Sequence, residues 1–279
     1  MCIMKRLPEQ QLQTLQATDI FDESSSALSS TVFASHSETL HTIDFPAPQI
    51  LKSTTLQDIL MFCRALEVLQ AHDDYSIYNT LAIEDAVATE WACTRIRHLE
   101  ISVEFTPDGR DPGCLADPTK TSWKKQDHKH WGMLDKFYTQ IGKLENLEVL
   151  HIKSAKANLP LDEEDDMDEG IPYRATCLPG LLALEDEATS QIGFLSRWDG
   201  LTKLQDFSGS FLVTTQEAAA RMGHREAEWF VTHLPALRRA TLWDNPYSEK
   251  CSDDDVPDVV RIIQRHRPEL KDFSMSGAN

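Results

Sequence analysis

This sequence is short of several things. Six cysteines (Cys2, Cys63, Cys93, Cys114, Cys177 and Cys251) are spread over 279 residues with no CxxC pair. That is too sparse for a disulfide-stapled scaffold, and a reducing compartment is expected. Cys63 and Cys93 sit in apolar stretches and read as small buried hydrophobes. Basic charge is scarce: 27 Lys+Arg stand against 45 Asp+Glu, a formal net charge of -18. Nucleic-acid binders usually carry a basic footprint, and a field of this sign repels phosphate backbones and anionic membrane surfaces. No run approaches the roughly 18 apolar residues needed to cross a bilayer. The opening MCIMKRLPEQQLQTLQ lacks the apolar core of a signal peptide. An intracellular protein, cytoplasmic or nuclear, with neither nucleic-acid nor membrane partners is expected.

Catalytic signatures are missing too. There is no GxGxxG, P-loop, GxSxG or HExxH. His128 and His130 in KKQDHKHW, with Cys114, are too loosely spaced for a metal site and read as a solvated basic loop. The acidic run 162–169 lacks the spaced ligands and central glycine of a calcium loop; it reads as a charge-repelled loop. No cofactor is expected.

What the chain does have is apolar content of 41%, close to that of ordinary globular proteins, and a recurring spacing. An LxxLxL-like unit begins at Leu12, Leu40, Leu66, Ile96, Leu147, Leu204, Leu237 and Leu270. The steps, as differences of those numbers, are 28, 26, 30, 51, 57, 33 and 33. Recurrence of this kind marks stacked modules. The last two units align at a shift of 33: His233-x-Pro235-x-Leu237 returns as His266-x-Pro268-x-Leu270.

Each unit reads as helix, stop, strand. Val256, Val259, Val260 and Ile263 have the spacing of one helical face, and Pro268 then disfavours helix at Arg267. Further helices are expected over Thr54–Cys63, Ile83–Ala92, Met133–Leu144 and Ser190–Trp198. Leu144, Leu201 and Leu234 each stand three residues before the first apolar residue of a unit. Repeated helix-to-strand units imply parallel strands joined by crossovers. A doubly wound sheet shares that alternation, but its strands, buried on both faces, read as continuous apolar runs. These strands alternate. The expectation is one α/β domain over 1–279: a leucine-rich-repeat-like curved solenoid, strands concave and helices convex. The two long steps are read as loop insertions near 106–130 and 156–188.

LENLEVLHI, LTKLQDF and LPALRRATLW, with WACTRIRHLEI and QIGKLENLEVLHI, resemble irregular leucine-rich repeats, and the set over about residues 36–279 resembles the repeat region of fungal F-box/leucine-rich-repeat proteins. That family often places Asn or Cys shortly beyond the third apolar position; only Asn245 does so here, so the repeats are degenerate. No F-box module is evident. The resemblance implies a protein-binding module, and, as an alternative, the substrate-recognition part of a cullin-type ubiquitin ligase with ligase subunits as partners.

With the apolar positions turned to the helices, the intervening positions face the concave surface. Asp206, Arg239 and Asp272 share one rung of three successive strands, with Trp243 nearby. His72, His98, Glu100, His151 and Lys153 form a second polar cluster. The plain reading is surface ion pairing, worth roughly 0–1 kcal/mol per pair. The functional reading is partner recognition, since Arg and Trp are enriched in binding hot spots. A non-catalytic protein-protein interaction module is therefore expected; a hydrolase using the histidine cluster is the alternative of another class. Trp91, Trp198 and Trp229 are expected to fill the space between helices and sheet.

Overall fold

A computed structural model describes residues 8–16, 30–45, 51–71, 79–105, 125–154, 178–179, 183–186, 192–209, 211–212, 223–243, 258–268, 270 and 273–276. Its strands are β1 (Thr14–Gln16), β2 (Thr42–Asp44), β3 (Val68–Ala71), β4 (Thr80–Ala82), β5 (His98–Glu104), β6 (Val149–Ser154), β7 (Leu178–Pro179), β8 (Asp206–Gly209), β9 (Phe211–Leu212), β10 (Arg239–Trp243) and β11 (Phe273–Ser276). The helices are α1 (Ser30–Ser35), α2 (Ser53–Phe62), α3 (Ile83–Ala86), α4 (Lys125–Gly142), α5 (His224–His233) and α6 (Asp258–His266), with a 3-10 turn at Leu195–Trp198.

The protein is α/β. Nine strands form one sheet in the order β1-β2-β3-β5-β6-β8-β10-β11, with β4 pairing the second half of β5. All its pairings are parallel. β7 and β9 make a separate two-stranded pair.

The LxxLxL spacing explains the register. Its second apolar position forms one continuous rung, Leu15-Ile43-Leu69-Leu99-Leu150-Phe207-Ala240, across seven strands. Every member is buried, in one cluster with Leu56, Ile59 and Leu60 of α2, Leu134, Phe137 and Ile141 of α4, and Ala227 and Phe230 of α5. The helices therefore lie against one face of the sheet. Burying a Leu or Phe side chain contributes about 1.5–3 kcal/mol, so this shared rung is what sets the strands against one another.

Two backbone patterns repeat with the units. Before six strands the carbonyl takes two N–H donors from the entry of the neighbouring strand. Gln13 O receives His41 and Thr42, and His41 O receives Glu67 and Val68. Glu67 O, Arg97 O, Glu148 O and Gln205 O follow in the same way. A tight turn also precedes six of the strands: Leu66, Ile96, Leu147, Leu204, Leu237 and Leu270 donate to Cys63, Cys93, Leu144, Leu201, Leu234 and Arg267. Cys63 and Cys93 thus occupy the same buried place as Leu144, Leu201 and Leu234. Burial pushes the Cys63 thiol up to about 12 and raises that of Cys93 as well. In the last unit Arg267 takes that place, and its guanidinium donates to the carbonyls of Leu234, Pro235 and Leu237 at 3.1, 3.3 and 2.7 Å.

The structure corrects several sequence expectations. α4 begins at Lys125, so 125–130 belong to a helix and not to the 106–130 insertion. His128 and His130 are helical; His130 is buried and meets Phe105 edge-on. The apolar spacing of α4 extends back through Trp131 and His130, and the charged neighbours Lys125 and Lys129 mask it in the sequence. The helix expected at Ile83–Ala92 ends at Ala86. Beyond it, Gln140 of α4 holds the chain: it donates to the carbonyls of Ala86 (2.9 Å) and Thr89 (2.8 Å) and accepts from Trp91 N–H (2.8 Å). The helix expected before Trp198 is only the 3-10 turn. That turn packs so close to the end of α4 that a Cβ on Gly142 would overlap the Arg197 carbonyl.

Within the segment expected as the second insertion, 183–186 are tied to α5. Glu226 accepts from Leu184 N–H and from Gly223 N–H at the helix start, at 3.3 and 2.9 Å. Trp91, Trp198 and Trp229 are buried. Among the described residues no helix is long and apolar enough to cross a membrane.

Candidate functional site

On each strand the residues alternating with the buried rung point away from the helices. Two rungs of this outer face can be followed. One runs Thr42-Val68-His98-Val149-Asp206-Arg239, the next Asp44-Gln70-Glu100-His151-Ser208-Thr241. Both are largely polar.

The centre of the face carries a network of charged and ionisable side chains. His98 Nε2 lies 2.6 Å from Glu100 Oε1. His151 Nδ1 approaches the same oxygen at 3.2 Å, and its Nε2 faces Asp206 Oδ1 at 3.7 Å. Asp206 Oδ2 in turn pairs with Arg239 Nη2. The order His98-Glu100-His151-Asp206-Arg239 spans β5, β6, β8 and β10. Register produces it: Glu100 stands opposite His151 and Asp206 opposite Arg239, on neighbouring strands about 4.8 Å apart, within reach of one another's side chains.

His151 therefore has a carboxylate at each ring nitrogen. Its pKa is raised above the ordinary imidazole value, chiefly by the hydrogen bond to Glu100, against an opposing effect of burial. The imidazolium is favoured because only that form can donate at both nitrogens. The two histidine rings meet edge-on at 6.2 Å.

Glu100 and Ser102 differ from the expectation of an exposed face, for both are buried. Among the described residues the Ser102 hydroxyl has no hydrogen-bond partner. β5 is unlike its neighbours in being buried on both faces from Leu99 to Val103. It is also the strand that β3 and β4 flank in succession.

The two clusters read separately in the sequence are thus joined, with Asp206 as the link to His151. Trp243 closes β10 and Lys153 lies in β6. Asp272 and His72 lie outside the described residues, as do Cys114 and the acidic run 162–169. A separate row of ion pairs edges the strand entries: Arg97 holds Glu148 at 2.8 Å, and Glu67 meets His41 and Arg95, each at 3.5 Å. These partly exposed pairs contribute about 0–1 kcal/mol each.

Among the described residues no group of three His, Cys, Asp or Glu side chains is placed to hold a metal ion. Neither His98 nor His151 is hydrogen-bonded there to a hydroxyl or thiol; both rings are committed to carboxylates. No protein-family model matches the chain, and no curated protein sequence does so either.

Proposed function

We propose that this chain is a protein-binding module of the leucine-rich-repeat type: a curved solenoid whose strands line the concave surface and present its binding face. Recurrence of one turn and one bifurcated carbonyl at unit after unit supports the solenoid. The observation that carries the binding role is the His98-Glu100-His151-Asp206-Arg239 network on the strand face opposite the buried rung. Charges held in place by one another lose little conformational freedom on binding, which favours recognition. The network supports binding over hydrolysis, because His151 has a carboxylate at each ring nitrogen and so no free nitrogen to activate a nucleophile.

The test is quantitative affinity purification from the native cell, comparing wild type with Arg239→Glu plus Trp243→Ala and with Lys136→Glu at an exposed position of α4. A partner lost only with the strand-face pair supports the reading. Equal loss in both variants, or loss in neither, refutes it. Service as a ubiquitin-ligase substrate receptor is a narrower form of the same proposal and rests on the sequence resemblance alone. Failure of the chain, and of a version extended upstream, to bind the ligase's small adaptor subunit would exclude it.

A further inference from the structure

The carboxylates are the withdrawn members of the network. The Glu100 side chain is 8% exposed and that of Asp206 13%, against 27% for His98, 30% for His151 and 61% for Arg239. What reaches solvent is a guanidinium and two imidazole rings, with the negative groups beneath them. A guanidinium carries five N–H donors in a planar fork, and Arg239 meets Asp206 through Nη2. Resting on the strand-face reading, we propose that this patch receives a carboxylate from an acidic segment of the protein partner. Arg239 is the principal contact, His151 supplies further positive charge, and both imidazoles offer ring N–H donors.

Charge complementarity carries the assignment. The chain's -18 net charge draws basic partners everywhere and disfavours acidic ones. Fields between exposed charges are screened beyond about 8 Å at physiological salt, so at contact the local donors decide. Arg pairs well with carboxylates because its fork matches their geometry.

His151 makes the site pH-dependent. His98 faces Glu100 and His151, with Val68 and Val149 opposite it in register. His151 faces Glu100 and Asp206, has Ser208 opposite, and stands two residues from Lys153 on its own strand; the helices lie behind the sheet. Lowering the pH through the imidazole range adds positive charge where the partner's carboxylate arrives, so binding tightens.

The test uses the whole chain and a fluorescein-labelled octaglutamate peptide, followed by anisotropy at about pH 6 and about pH 8. Parallel arms use octalysine and a phosphoserine peptide with neutral flanks. Octaglutamate is expected to bind, more tightly at the lower pH. Arg239→Gln should weaken it about tenfold, and Lys136→Gln should leave it unchanged. His151→Gln should flatten the pH dependence, with circular dichroism confirming the fold of each variant. Absence of octaglutamate binding, stronger binding of octalysine, binding of the phosphoserine peptide alone, or indifference to Arg239→Gln would each overturn the proposal. The underlying reading fails separately: if Val149→Arg on this face abolishes capture of the native partner while Arg239→Gln does not, strand-face binding stands and the acidic-segment assignment falls.

Discussion

Replacing Gln140 with leucine should destabilise the protein by about 2 kcal/mol, and the structure says where the loss arises. The Gln140 carboxamide, buried in α4, makes three bonds of 2.8–2.9 Å to the backbone between α3 and β5. Leucine keeps the volume and removes all three. The buried Trp91 N–H then loses its acceptor, which costs about 1–3 kcal/mol. The Ala86 carbonyl retains Trp91 Nε1 at 2.9 Å and loses only its second donor, about 0.5–1 kcal/mol. Thr89 is exposed, so water replaces its lost partner at little cost. Leucine's greater apolarity offsets less than about 1 kcal/mol of this. In a chain of this size about 2 kcal/mol lowers Tm by roughly 4–8 °C. Urea melts followed by circular dichroism and by Trp fluorescence measure the change, with coincidence of the two probes establishing two-state behaviour. A Gln140→Leu variant within about 0.5 kcal/mol of wild type would refute the view that this one side chain holds the α3–β5 segment.

Other expectations concern pH, close contact and thiol reactivity. Because the folded-state pKa of His151 is raised above its unfolded value, chiefly by Glu100, its contribution to stability is fully present below the unfolded pKa of about 6.5. It is lost as pH rises through the folded pKa. The stability difference between wild type and His151→Gln should therefore shrink with rising pH across that range in urea titrations; parallel curves would refute it. Gly142→Ala forces a Cβ against the Arg197 carbonyl and should cost more than about 2 kcal/mol, read from thermal melts; an unchanged Tm would show that the α4 end yields easily. Cys63 and Cys93, buried with raised pKa values, should resist iodoacetamide in the native state and react in denaturant, as peptide mass mapping would detect. Native labelling at both sites would refute the turn packing.

Much of the architecture can be read from apolar spacing alone. Alternation within LxxLxL decides which side chains enter the core and which stand on the opposite face, since the period of a strand is 2. It marks His98, Glu100, His151, Asp206 and Arg239 as members of one face before any coordinates. Leu144, Leu201 and Leu234 likewise reveal the turn position. Boundaries were harder: the charged start of α4 reads as loop because lysines and histidines obscure its apolar stripe, while α3 stops early because Gln140, from another element, captures its continuation.

Tertiary structure alone decided which outer residues meet. Steps of 51 and 57 residues separate β5 from β6 and β6 from β8, and such lengths leave the pairing of side chains across strands open. Register brought Glu100 opposite His151 and Asp206 opposite Arg239, and so turned two clusters into one network. The same holds for Arg267, which fills an apolar position by donating to carbonyls of the preceding turn. Periodicity is a local property, fixed by backbone geometry within a few residues. Contacts between ionisable groups depend on distances of a few ångströms across segments far apart in the chain, which only the packed sheet sets.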